Sequence, residues 1–192
     1  MQTIFCFYIV GPQTSIGMHA KGIFMPNTDY KDDNIISLGY HSNDCFGNVT
    51  LCPDGVAFSL WFKLEAVFGS TSHLYDSACF HAFLSQKTNG NLRLSVNFKN
   101  GTHRFRYESL PGVTLNAWHH LGLTYSPKYG VDIYYDGSVQ TGTFEITIHS
   151  ISPKSFELGC TRGKYCIRVI YDDLKFWKVW KRPEFMLQLW SM

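Results

Sequence analysis

The chain has 192 residues, of which 45% are hydrophobic and 17% charged, and its 17 basic and 15 acidic side chains leave a formal net charge of +2. This length and apolar content support one folded domain and exclude a disordered chain. The near-balanced charge gives no electrostatic case for nucleic acid or an anionic membrane, and no stretch approaches the ~18 apolar residues of a membrane span.

The first apolar run, Thr3-Ile4-Phe5-Cys6-Phe7-Tyr8-Ile9-Val10, is short and lacks both a basic flank and a small-residue cleavage site. Two readings stand side by side: a signal-peptide remnant or a first β-strand. Residues 1–17 are therefore set apart as an N-terminal segment, and 18–192 as the folded domain. Strands are expected near His19–Met25 and Ile35–Leu38, with the solvated loop Asp29-Tyr30-Lys31-Asp32-Asp33 between them. Cys45 and Cys52 then bracket a short loop that carries the acceptor pattern Asn48-Val49-Thr50.

Beyond this loop, apolar residues recur at every second position. Val56, Phe58, Leu60, Phe62 and Leu64 alternate with Ala57, Ser59, Trp61, Lys63 and Glu65. Leu92, Leu94, Val96 and Phe98 do the same, as do His103, Phe105 and Tyr107, then Phe144, Ile146 and Ile148. Period two puts each set on one face of a strand. Asn89-Gly90, Asn100-Gly101, Ser126-Pro127-Lys128-Tyr129 and Asp136-Gly137 mark the turns. Further strands are expected at Phe80–Gln86, Trp118–Tyr125, Gly130–Tyr135, Ser155–Cys160 and Ile167–Val179. Roughly ten hairpin-linked strands require two packed sheets, an all-β antiparallel sandwich. Pro183 opens the only helical stretch, Pro183–Trp190, expected to cover an open end of that sandwich.

Six cysteines, at 6, 45, 52, 79, 160 and 166, allow fifteen connectivities. Cys45 with Cys52, and Cys160 with Cys166, have the spacing of local clips; neither pair is CxxC and no histidine lies in ligand register, which favours disulfides over zinc. Cys6 and Cys79 have no assigned partner. A second acceptor pattern, Asn100-Gly101-Thr102, joins Asn48 as a glycosylation candidate. Paired cysteines and sequons together point to an oxidising compartment, so the expected location is extracellular, secreted or as the ectodomain of a membrane protein.

The order of four segments resembles a known family. These are Cys45-Phe46-Gly47-Asn48-Val49-Thr50-Leu51-Cys52-Pro53-Asp54-Gly55 running into Val56–Leu64, Asn116-Ala117-Trp118-His119-His120-Leu121, Tyr134-Tyr135-Asp136-Gly137, and Ile170-Tyr171-Asp172-Asp173-Leu174-Lys175-Phe176-Trp177. They are similar to the laminin-G-like and pentraxin-like jelly rolls of the concanavalin-A-like lectin and glucanase superfamily. The resemblance implies that 18–192 is a jelly-roll domain. It also implies an extracellular module of a larger adhesion, receptor or matrix protein, binding glycan or protein, sometimes with a structural calcium ion.

Individual residues refine that expectation. In an unbroken strand Ile170, Asp172, Leu174 and Phe176 share a face, which would set the Asp172 carboxylate among apolar neighbours. Such a group needs donors or a cation, so Asp172 is read as a hydrogen-bond acceptor pinning the sheet or as a calcium ligand. Trp118 is expected in the core. His119 and His120 face opposite sides of a strand and cannot share an ion, and His120 is expected to be hydrogen-bonded and structural. His41, His73, His81, His103 and His149 show no ligand spacing. Arg104 and Arg106 share a strand face, and Arg93 has the same outward alternation on a neighbouring strand, a candidate surface for a sulfated glycan or acidic protein.

None of Glu65, Glu108, Glu145, Glu157 and Glu184 begins the Glu-x-Asp pattern of the superfamily's glucanases. The expected function is a non-catalytic recognition module for glycan or extracellular protein. A calcium-dependent lectin of pentraxin type, stacking sugar on Tyr129 or Tyr134, and a glycoside hydrolase with an unrecognised site are the alternatives.

Overall fold

A computed structural model describes residues 8–10, 13–16, 21–27, 35–41, 43–68, 71–86, 91–101, 103–110, 112–140, 143–145, 155–159 and 166–191. Fifteen strands are described: β1 Tyr8–Val10, β2 Gln13–Ile16, β3 Lys21–Pro26, β4 Ile35–Tyr40, β5 Val56–Val67, β6 Thr71–Asp76, β7 Phe80–Gln86, β8 Leu92–Lys99, β9 Arg104–Leu110, β10 Trp118–Ser126, β11 Gly130–Tyr135, β12 Ser138–Gln140, β13 Thr143–Glu145, β14 Ser155–Leu158 and β15 Ile167–Trp177. One helix, α1 Pro183–Ser191, follows. The strands form two sheets, one ordered β1-β4-β14-β6-β7-β8-β9-β13 and the other β12-β11-β10-β5-β15-β3-β2. Every described pairing is antiparallel, for example β5 with β10 and β15, and β7 with β8. The expected two-sheet jelly roll is the fold. Asn89-Gly90, residues 146–150, the acidic loop of 29–33 and Cys160 lie outside the described residues.

Alternation positions the core. Phe58, Leu60, Phe62 and Leu64 of β5 are fully buried, and Leu121 and Leu123 stand opposite Leu60 and Phe58 on β10. From the other sheet come Leu74, Tyr75, Phe80, Ala82, Leu84, Val96 and Phe98. Burying a large apolar side chain contributes about 1.5–3 kcal/mol, so this layer dominates the stability of the domain. At its centre Phe46 stacks on Phe156 with centroids 4.4 Å apart and meets Phe176 edge-on at 4.4 Å. Phe46 belongs to the cysteine-bracketed loop, so that loop plugs the space between the sheets.

The Asp136-Gly137 turn has positive φ at both residues, +45° and +74°, as a two-residue hairpin of this hand requires. At the Ser126–Tyr129 turn the Ser126 hydroxyl accepts from the N–H groups of Lys128 and Tyr129.

The helix differs from expectation. It lies on the outer face of the seven-stranded sheet, not over an open end. Ala57, Tyr134, Trp177, Met186 and Leu189 form a second small core there. Trp190 stacks on Trp61 at 5.2 Å, and a Cβ at Gly122 would come within 2.8 Å of Met186 Cε. The physical reason is a sheet face left with small residues (Ala57, Ser59, Gly122) between aromatic ones, which forms a trough that an amphipathic helix fills. Trp118 is also displaced from expectation: it pairs with Lys63 on this same outer face, and the Lys63 ammonium sits 5.6 Å from its ring.

A register shift corrects the reading of β15. Asp172 pairs with Trp61, but Lys175 pairs with Ser59, so three steps on β15 answer two on β5. Asp173 takes φ +49° at this bulge. Phe176 therefore turns inward, opposite Phe58, while Asp172 stays half-buried and does not share its face.

Met186 is fully buried under the helix. Met186→Ala is expected to lower stability by about 2–5 kcal/mol, read as a lower urea midpoint with the β-sheet circular-dichroism spectrum retained.

Candidate functional site

The outer faces of the two sheets differ. The seven-stranded face is roofed by α1. On the eight-stranded face, cross-strand partners line up a polar row: Glu157 with Asp76, Asp76 with His81, His81 with Asn97, and Asn97 with Arg106. Partners opposite one another project from the same side of a sheet. Next to this row, Arg104 stands opposite Lys99 and its Nη2 donates to Asn97 Oδ1 at 3.3 Å. Asn97 is buried, and Arg104 and Arg106 are half-buried. Arg93 pairs with Ser85 and sits four residues along β8 from Asn97, about 13 Å away at strand rise. The face thus brings Arg104 and Arg106 together and leaves Arg93 at a distance.

The same face holds a cluster that the sequence reading passed over. His81 Nδ1 lies 2.8 Å from Asp76 Oδ1, and the His73 and His81 rings meet edge-on at 4.7 Å. The donor atoms of His73, Asp76 and His81 all fall within 4.8 Å of one another. His73 and His81, which show no ligand spacing in sequence, thus stand together with Asp76 in ligand geometry. Strict alternation back from Asp76 puts Leu74, not His73, on its face. A register shift between His73 and Tyr75 returns His73 to that face, opposite Phe83. The signal available was His-x2-Asp-x4-His across a tight turn, but only the bulge makes it converge.

The histidine pair of β10 behaves as expected. His119 points inward, its Nδ1 2.7 Å from Asp136 Oδ2 and 2.9 Å from the Tyr135 hydroxyl, while Thr114 N–H donates to its Nε2 at 3.1 Å. The other oxygen of Asp136 accepts His120 N–H at 2.8 Å. Burial first, then the Asp136 carboxylate, push the Tyr135 phenol far above its ordinary range. His120 points outward beneath Trp61, its Nε2 2.8 Å from the Ser59 hydroxyl. Both histidines are sealed in hydrogen-bonded surroundings and hold the corner of the sheet. Tyr134 is 1% exposed beneath the helix and cannot stack a sugar, whereas Tyr129 is exposed beside Trp180.

Asp172 lines a cavity of ≈190 Å³ with Ile23, Ile36, Leu158, Tyr171, Asp173 and Leu174. Its Oδ1 accepts the Asp173 N–H at 2.8 Å, and Lys175 Nζ donates to Asp173 Oδ2 at 2.5 Å.

Cys45 and Cys52 are joined by a disulfide. Cys166 is disulfide-bonded, and Cys79 is a buried free thiol that burial pushes up to about 11. Inside the first loop, Asp44 accepts the N–H groups of Phe46 and Gly47 and lies 2.9 Å from His41 Nδ1. Gly47 is required, because a Cβ there would lie 1.6 Å from the His41 carbonyl oxygen. Asn48 Oδ1 accepts both the N–H and the hydroxyl of Thr50. Asn100 is more engaged: its Nδ2 donates to Tyr125 Oη at 3.2 Å and its Oδ1 accepts His103 N–H.

Two antiparallel sheets, one with α1 on its outer face, and a looped plug between them define a lectin-type jelly roll. Residues 38–183 match the family model of the concanavalin A-like lectin/glucanases superfamily, and the chain belongs to that family. No curated protein matches the chain in sequence. Among solved structures it is similar to domain 4 of an extracellular arabinanase from Geobacillus stearothermophilus, solved with arabinotriose, at TM-score 0.64 and 16% identity over 94% of this chain and 81% of that one. It is also similar to the heptameric pentraxin of Limulus polyphemus, at TM-score 0.50 and 15% identity over 72% of this chain and 70% of that one. The binding domain of botulinum neurotoxin DC, solved with rat synaptotagmin II, gives TM-score 0.57 and 10% identity over 97% of this chain and 45% of that one. At these identities the likeness is one of fold. Among the described residues no helix is long and apolar enough to cross a membrane.

Two outcomes follow for the plug loop. Replacing both Cys45 and Cys52 by Ser is expected to lower stability by about 2–3 kcal/mol on the loop-entropy account, measured by denaturant unfolding without reductant. Burial alone would raise the Asp44 carboxyl, but His41 and the Phe46 and Gly47 N–H groups outweigh it and hold it below its ordinary value. Its contribution is complete above the unfolded carboxylate range and lost as pH falls through the lowered value. Stability of Asp44→Asn should therefore decline less steeply on acidification than that of the natural chain, in parallel pH-dependent melts.

Proposed function

We propose that this chain is an extracellular, non-catalytic recognition module that binds an anionic glycan on the outer face of its eight-stranded sheet. The observation that carries this reading is the asymmetry of the sandwich: one outer face is committed to α1, while the other presents Arg104, Arg106 and Lys99 around a buried Asn97. Guanidinium groups held by neighbouring side chains keep their fork geometry for sulfate or carboxylate oxygens. The Cys45–Cys52 bond supports an oxidising location. The arabinanase domain solved with arabinotriose gives precedent for sugar on this fold. Asn48, whose carbonyl oxygen is bonded by Thr50, is the better-placed glycosylation acceptor. The place we give it within a larger adhesion, receptor or matrix protein is in keeping with two of its fold neighbours, domain 4 of an arabinanase and the binding domain of a neurotoxin, being parts of larger proteins.

The non-catalytic part of the reading rests on the carboxylates. Glycoside hydrolysis needs a pair free to act as acid and as base or nucleophile. Glu157 and Asp76 are cross-strand partners, but Glu157 accepts from Ser155 and Asp76 is tied to His81. Asp172 is assigned the structural role, with its acceptor needs met in part by the Asp173 backbone, in preference to a calcium ligand.

A glycan array containing sulfated, uronic-acid and neutral chains tests this function. Binding confined to anionic chains, weakened about tenfold or more when Arg104 and Arg106 are both changed to Ala, is the expected result. Preference for neutral glycans, a calcium requirement, or sugar released from arabinan or β-glucan would each overturn it.

A further inference from the structure

We infer that His73, Asp76 and His81 form a binding site for a zinc-class divalent ion on the outer face of the β6–β7 hairpin. Three observations carry this. The donor atoms lie within 4.8 Å of one another. Ligand atoms around a tetrahedral zinc stand roughly 3.3 Å apart, given bonds near 2.0–2.1 Å, so closing on an ion needs only small side-chain rotations. His73 and His81 are half-buried residues of β6 and β7. Second, the scaffold is rigid: Asp76 and His81 are register partners in a two-strand pairing, and the bulge between His73 and Tyr75 exists at the one place that turns His73 to the same side. Third, the Asp76 side chain is only 4% exposed, while the His81 side chain is 29% exposed. A carboxylate that deep gains most from a directly bound cation.

The donor chemistry selects the metal. Two imidazoles and one carboxylate suit zinc, nickel or copper, whereas calcium takes six to eight oxygens. Three protein ligands leave one tetrahedral position open toward solvent. The site stands whether or not the neighbouring arginines bind glycan.

The test uses the whole purified chain after chelator treatment. Zinc chloride is titrated calorimetrically against the natural chain, His73→Ala, His81→Ala, the double variant and the control His41→Ala, with calcium chloride run in parallel. The expected result is one zinc per chain, weakened about tenfold or more by each of the first two changes and abolished by both, with the control unchanged and no calcium uptake. Thermal melts confirm that the variants fold. Cobalt substitution gives a second readout, a visible band of tetrahedral ligation lost in the double variant. Zinc uptake that persists undiminished in the folded double variant, or no uptake by the natural chain, overturns the assignment.

Discussion

The two sheets are held together by one layer of aromatic side chains, and its keystone comes from a loop. Phe46 stacks on Phe156 of β14 and meets Phe176 of β15, so it touches both sheets at once. Phe58, Tyr75 and Phe80 extend the same layer. A loop can supply such a residue only if its own backbone is fixed. The Cys45–Cys52 bond, the Asp44 carboxylate and the close passage of Gly47 past His41 fix it. Local covalent and polar constraints thereby set the entropy of a contact on which the inter-sheet packing rests.

With the interior filled, the chemistry of the molecule is on its outsides, and the two outsides have different fates. The seven-stranded sheet uses its outer face for a second, smaller apolar layer under α1. The eight-stranded sheet keeps charged and hydrogen-bonding residues in rows that cross five strands. Regular pairing converts residues distant in sequence into near neighbours: Asp76, Asn97, Arg106 and Glu157 share one row. Recognition on a sheet face inherits the rigidity of the ladder, which loops at a rim lack.

Much of this architecture was readable from the alternation of β5, β8 and β10, because hiding period-two apolar residues admits few solutions. The Asp136-Gly137 and Ser126–Tyr129 turns were legible for the same local reason. What escaped depends on single inserted residues. One bulge in β15 separates Phe176 from Asp172, and one in β6 joins His73 to Asp76; each shift of one residue exchanges the faces of everything beyond it. No residue type at either position announces the extra step. The seat of the helix was hidden as well, because Ala57, Ser59 and Gly122 form a trough only when β5 and β10 lie side by side. Arg104 and Arg106 could be placed together by sequence, but their distance from Arg93 needed the register.

The position of β5 also has a bearing on how the chain reaches this state. It is a central strand whose partners arrive late in synthesis: Phe62 is opposite His119 on one side and Tyr171 on the other. Until β15 has been made, one ladder of β5 is open, and its apolar face has no finished sheet to close against. Topologies dominated by such distant pairings form slowly, because loop closure precedes its reward. During synthesis of this domain β5 therefore lacks one of its two ladders until Ile167–Trp177 has been made.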